Sequence, residues 1–248
     1  MCLLTSLRAA ALGLVALALS ACTPAPQGAD IWDPWEERNR RAHAGNQQLD
    51  RLISGETGDR ALPAPMRRGV ANFAANAGAP ADTLNSLLQG RLDMAVANAF
   101  RFVINTTFGL GGVFDIATGM GLDGRRTDFG ETLHVWGAPE GAYLDLPVLG
   151  PSTERDAAGL LVDFLIDPLN ALGPAERARR AVAARTLARG LARIGDRAEY
   201  SDFVDALITE SSDSYVQSRL LYLQYRRFLL EGEARIDDFD PYEDLYAD

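Results

Sequence analysis

The sequence predicts an all-α chain, and three observations carry that prediction. Apolar residues recur at helical spacing along most of the stretch after Asp33, helix-start signals stand ahead of several of those runs, and the intervening stretches are rich in glycine, proline and aspartate. Two apolar stripes are wider than a surface helix needs, so the predicted helices either fill a protein core or meet lipid.

The chain opens MCLLTSLRAAALGLVALALSAC, with one arginine ahead of an apolar run from Ala9 to Leu19. That run is too short to span a bilayer, which takes about 20 apolar residues, and has the length and order of a secretory signal. It ends Leu19-Ser20-Ala21-Cys22, the pattern of a bacterial lipoprotein signal. Residues 1–21 are therefore expected to be the signal, Cys22 the lipid attachment site, and residues 22–32 a tether. One acyl chain binds membranes only marginally, whereas a multiply acylated cysteine anchors durably. Thr23 stands where an aspartate would signal inner-membrane retention, so the expected address is the outer membrane, facing the periplasm.

Composition excludes several classes. Cys2 leaves with the signal and Cys22 is blocked by lipid, which rules out a disulfide or a cysteine metal site. His43 and His134, the two histidines, lie far apart and in no ligand motif, so no metal and no cofactor is expected. The net charge of -10 speaks against nucleic acid, which demands a concentrated positive surface. All 24 basic residues are arginine. With no lysine there is no P-loop, and with no GxSxG elbow a hydrolase would have to recruit His43 or His134 as base.

The elements follow in order. Asp33-Pro34-Trp35-Glu36 joins an N-cap residue, a proline at the first helical position and a glutamate three after the cap, and predicts a polar-faced helix through Asp50. Residues 54–65 read as a linker. Met66–Ala77 and Pro80–Gln89 read as two short helices separated by Gly78 and Pro80. Leu92, Val96, Ala99 and Val103 mark the next helix, with Phe100, Phe102, Ile104 and Phe108 widening its stripe. Residues 128–153 read as a short helix followed by an extended, Gly- and Pro-rich stretch. Thr153 and Asp156 have capping-box spacing ahead of a helix reaching Asp167.

A basic helix is expected from Ala175 towards Tyr200, with Arg185, Arg189, Arg193 and Arg197 on one face. Such a face suits either an anionic membrane surface or plain solvent. The last helix, within DSYVQSRLLYLQYRRFLL, closes a helical domain of residues 33–231. Residues 232–248 form an acidic tail expected to be disordered.

Between the wide helix and the short one lies NTTFGLGGVFDIATGMGLDG, residues 105–124, where large apolar residues alternate with glycines. A Rossmann fingerprint would need a strand before it, and the preceding segment reads as helix. The glycines at 109, 111, 112, 119 and 121 are better explained by a tight apolar hairpin that needs positive φ and close backbone approach.

Several stretches together resemble one family, the MlaA (VacJ) outer-membrane phospholipid transport lipoproteins. They are DPWEERNR at 33–40, MRRGVANFAANAGAPADTLNSLLQG at 66–90, RFVINTTFGLGGVFDIATGMGL at 101–122, DFGETLHVWGAPEGAYLDLPVLGPSTERD at 128–156 and DSYVQSRLLYLQYR at 213–226. The resemblance implies a ring-like bundle of membrane-associated helices with a central channel, seated in the inner leaflet of the outer membrane beside a trimeric porin. It implies removal of mislocalised phospholipid from the outer leaflet and its delivery to a periplasmic lipid-carrier protein. Asn105, Thr106, Thr107 and Asp115 beside Phe108, Leu110 and Phe114, with Gly109, Gly111 and Gly112, are the candidate channel or hairpin residues, offering a polar side to head groups and a greasy side to acyl chains.

The chain departs from the family pattern at His43, Gly45, His134 and Ala142, and the first two predict a first helix seated less deeply in lipid. A non-transporting adaptor lipoprotein that binds a porin or envelope partner is the alternative of a different class. No catalytic residue is assigned.

Overall fold

In the computed structural model, residues 31–54, 63–166 and 211–237 are described. The elements are α1 (Glu36–Ser54), α2 (Ala64–Leu88), α3 (Leu92–Thr107), α4 (Ile116–Gly119), α5 (Phe129–Val135), β1 (Tyr143–Leu146), β2 (Gly150–Thr153), α6 (Glu154–Ile166) and α7 (Ser214–Asp237). Cys22, the signal and the basic helix expected near residues 175–200 lie outside the described residues. The helical expectation holds for most of what is described, with one correction.

That correction is a two-stranded antiparallel ribbon where only an extended stretch was expected. Tyr143 pairs with Thr153 and Leu146 with Gly150. A two-stranded ribbon is marginal alone, and here α1 completes it. Asn39 donates from Nδ2 to the Tyr143 carbonyl at 3.0 Å and accepts the Asp145 N–H at 3.1 Å, doing for the ribbon what a third strand would. Asn46 holds the turn in the same way, accepting the Val148 N–H at 2.7 Å and donating to the Leu146 carbonyl. Val148, a β-branched residue at φ +70°, is thereby kept in a conformation it rarely adopts.

Two further expectations change. The pair of short helices is one helix, α2, with Pro80 in its interior. Proline removes the single bond to the Asn76 carbonyl, and the helix continues through it. Small side chains at Ala74, Ala79 and Ala81 let α2 lie close along α3, where Ala95 is also buried, and that packing outweighs the lost bond. Asp33 does not cap α1. Its carboxylate accepts from Asn39, from the Tyr215 hydroxyl and from Arg219, tying the start of the domain to α7. Thr153, as expected, accepts the Asp156 N–H and caps α6, while α7 continues past Glu231 to Asp237.

Two small apolar clusters hold these elements. Phe129, Leu133, Ala138 and Val162 join α5 to α6, and Tyr143, Tyr215 and Leu223 join the ribbon to α7. The helices α5 and α6 meet backbone to backbone, since a side chain on Gly159 would fall on Gly130. Beside that contact Arg226 of α7 grips Asp128 through both carboxylate oxygens, at 3.0 and 2.7 Å, and Asp156 through both, at 3.0 Å each. Burial alone would raise the Asp156 carboxyl. Arg226 and the Tyr222 hydroxyl outweigh it and hold the group below the usual carboxylate range.

Candidate functional site

The helix α3 is turned inside out relative to a water-soluble helix. Leu92, Val96, Phe100 and Val103 fall within about 80° of one another around the axis. All four are more than half exposed, Val96, Phe100 and Val103 at 54–57%. Ala95, Asn98 and Asn105 face inward and are almost fully buried. The inner polar groups are satisfied by protein. Asn98 donates to the Arg125 carbonyl at 2.9 Å, and Arg101 donates to Asp115, to Thr118 and to the Leu122 carbonyl. A large aliphatic or aromatic side chain left in water forgoes about 1.5–3 kcal/mol. Four on one face is an arrangement that a hydrocarbon neighbour stabilises and water does not.

The apolar surface continues off the end of α3. Phe108, Leu110, Phe114 and Met120 are all more than half exposed, and Leu160, Leu161, Phe164 and Leu165 carry a similar exposed face on α6. Among the described residues no helix is long and apolar enough to cross a membrane. A surface of this kind on helices too short or too polar to span fits elements lying within one leaflet or at its boundary.

The glycine stretch is a compact turn that closes α3 and opens α4. Gly111 returns its N–H to the Thr106 carbonyl at 3.1 Å, and Phe114 to the Gly109 carbonyl at 3.0 Å. Gly109 sits between the Phe114 and Asn105 carbonyls, where no Cβ fits, and Gly112, at φ +99°, has the Asn76 side chain where a Cβ would be. Gly111 and Gly121 also take positive φ, while Gly119 lies in α4 with open space beside it.

Beneath the turn lies a polar brace. Asn105 donates from Nδ2 to Asp115 at 3.0 Å and accepts the Ala117 N–H at 2.9 Å. Asp115 also caps α4 through the Thr118 N–H and takes the Arg101 guanidinium at 2.9 Å. Burial pushes the Asp115 carboxyl up, and hydrogen bonds from Thr118, Asn105 and Arg101 more than reverse this, bringing it down to about 2.

The candidate residues therefore separate into two groups. Asn105 and Asp115 are brought together and bond to each other and their neighbours, and Thr106 accepts from Asn76 at 2.9 Å. Thr107, Phe108 and Phe114 stand exposed on the other side. Sequence reasoning missed Arg101, Asn72 and Asn76. Arg101 was readable as the residue one turn before Asn105 on the same face. Asn72 and Asn76 reach the turn at Val113 and Gly111 from the neighbouring helix, and no local pattern marks them.

Comparison with known proteins bears on this arrangement directly. Residues 31–229 match the family model for the MlaA lipoprotein. An uncharacterised protein of Rickettsia typhi is 31% identical over 199 residues, covering 77% of this chain and 74% of that protein. The intermembrane phospholipid transport system lipoprotein MlaA of Escherichia coli (strain K12) is 34% identical over 174 residues, covering 69% of this chain and 66% of its own. A solved structure described as the structural basis for maintenance of bacterial outer membrane lipid asymmetry superposes with a TM-score of 0.64 at 30% identity, covering 80% of this chain and 98% of that one. The chain belongs to the MlaA lipoprotein family.

Proposed function

We propose that this lipoprotein transports phospholipid at the outer membrane, removing mislocalised molecules from the outer leaflet and passing them to a periplasmic carrier, and so maintains lipid asymmetry. The inverted α3 carries the reading, because a helix with its polar face spent inside and its apolar face outside is built to lie in lipid while keeping polar groups close by. A lipid moving between leaflets needs both. Carrying a charged or zwitterionic head group through hydrocarbon leaves polar groups unsatisfied at several kcal/mol each, and each methylene put into water costs about 0.8 kcal/mol.

In this reading the helices form a ring around a channel in the inner leaflet, beside a trimeric porin, with the lipid on Cys22 holding the domain there. The turn at 108–114 borders the lipid path, presenting Phe108 and Phe114 to acyl chains over the Asn105–Asp115 brace. The relatives named as phospholipid transport lipoproteins support this assignment.

Deleting the gene and measuring phospholipid in the outer leaflet tests it. Deletion should raise outer-leaflet phospholipid and sensitivity to detergent with chelator, and wild type should restore both while Cys22→Ala should not. Unchanged asymmetry in a strain with no second copy would refute transport and leave the adaptor reading.

A further inference from the structure

Away from α3, the end of α5, the start of α6 and α7 enclose a cleft of about 330 Å³, lined by His134, Ala138, Glu140, Arg155, Arg227 and Leu230, with Glu231 at its side. Its charges are unevenly spent. Arg227 is held by Glu140 through two hydrogen bonds, at 3.0 and 2.8 Å. Arg155 is 2% exposed, yet its Nε and Nη2 atoms have no hydrogen-bond partner. The nearest carboxylate, Asp156, is 3.6 Å from Nε and already engaged by Arg226 and Tyr222. An interior guanidinium with unused donors is rare in folded proteins and asks for an acceptor.

Arg155 reaches the cleft through His134. Its Nη1 lies 3.4 Å from His134 Nδ1. Arginine has no acceptor, so Nδ1 must accept in this pair, and the neutral ring then carries its proton on Nε2. Burial and the adjacent Arg155 charge hold the imidazole below its ordinary value, consistent with that neutral form. His134 thus offers an N–H donor backed by a buried positive charge. Across the cleft Glu231 is exposed and forms no ion pair among the described residues.

We infer that this cleft binds the head group of a zwitterionic phosphodiester lipid of the ethanolamine type, the phosphate accepting from His134 in the field of Arg155 and the ammonium meeting Glu231. A buried guanidinium with spare donors and an exposed carboxylate in a single cleft complement a zwitterion better than a simple anion. Leu230 and Ala138 offer an apolar wall to the glycerol end. The inference rests on the transport reading and names its head-group preference.

The test is calorimetric titration of the full-length lipidated protein in nanodiscs lacking ethanolamine lipid. The probes are dihexanoyl phosphatidylethanolamine, dihexanoyl phosphatidylglycerol and inorganic phosphate. Saturable binding should favour the ethanolamine lipid. Glu231→Gln should abolish that preference by weakening it about tenfold, the loss of one charge-assisted hydrogen bond. His134→Phe should weaken both lipids, with unchanged unfolding midpoints showing that each variant is folded. Equal affinity for inorganic phosphate, or an unchanged preference in Glu231→Gln, would overturn the site. If Glu231→Gln binds as wild type while still restoring asymmetry in the deletion strain, the cleft fails and transport stands. If the site behaves as expected but deletion leaves asymmetry unchanged, transport fails and the site stands.

Discussion

The α3 turn region and the region where α1, the ribbon and α7 meet are built from similar residues used in opposite senses. In the second, aromatic rings go inside. Tyr143 and Tyr215 pack edge to face at 6.0 Å, His43 packs on Tyr215, and charged groups ring the cluster as Arg219 with Asp33 and Arg40 with Asp213. In the first, Asn98 and Asn105 go inside, with Arg101 partly buried beside them, and Phe100, Phe108 and Phe114 go out. An aromatic core with a polar rim is what water selects. The reverse order, with the α3 amides Asn98 and Asn105 bonded to protein, is what a lipid neighbour selects, so the contrast marks which part of the domain faces the membrane.

The largest effect is expected at the α5–α6–α7 junction, next to the water-type region on α7, where charges are most deeply committed. Arg226→Ala would strand Asp156, whose side chain is 8% exposed, and should cost about 3–5 kcal/mol, read from chemical unfolding. A loss under about 1 kcal/mol would mean that the Asp128–Arg226–Asp156 junction does not hold α5, α6 and α7 together.

The lipid-type region should be broken by shape. Gly112→Val puts a branched side chain on Asn76 at positive φ and should cost about 2–4 kcal/mol while leaving lipidation intact. Gly119→Ala, with open space beside it, should change stability by less than about 0.5 kcal/mol. Equal effects at the two positions would remove the steric reason for the glycine turn.

Acid sharpens the comparison. The Asp115 carboxyl is lowered in the folded chain to about 2, so its contribution is complete above its unfolded value near 4 and is lost as pH falls towards 2. Amide protection across residues 105–119, relative to the intrinsic exchange rate at each pH, should therefore fall between about pH 4 and pH 2. In Asp115→Asn, protection should already be lower at pH 6 and show no such step.

How much of this was legible in the sequence depended on range. The stripe on α3, the Thr153 cap and the positive φ of Gly111, Gly112 and Gly121 were readable because their causes lie within one or two turns of chain. Asp33 was misread as a cap because its real partners, Tyr215 and Arg219, come from the far end of the chain. Pro80 was misread as a break because the packing that keeps α2 continuous is supplied by α3. The ribbon was missed because four-residue strands flanked by Gly and Pro carry little periodic signal, and Asn39, which completes them, belongs to a helix. Asn105 and Asp115 were singled out together, and they touch. Nothing local in the sequence marks Arg155 as an arginine whose buried donors stay without hydrogen bonds.

The central claim is that the outer face of α3 rests against acyl chains. It is tested most directly by placing a nitroxide label at each position from 92 to 107 in turn and measuring collisions with oxygen and with a water-soluble nickel chelate, in bilayers containing the lipidated protein. Oxygen accessibility should oscillate with a period near 3.6 residues and peak at Leu92, Val96, Phe100 and Val103, where nickel accessibility is lowest. Peak nickel accessibility at those same four positions would place the face in water and contradict the account.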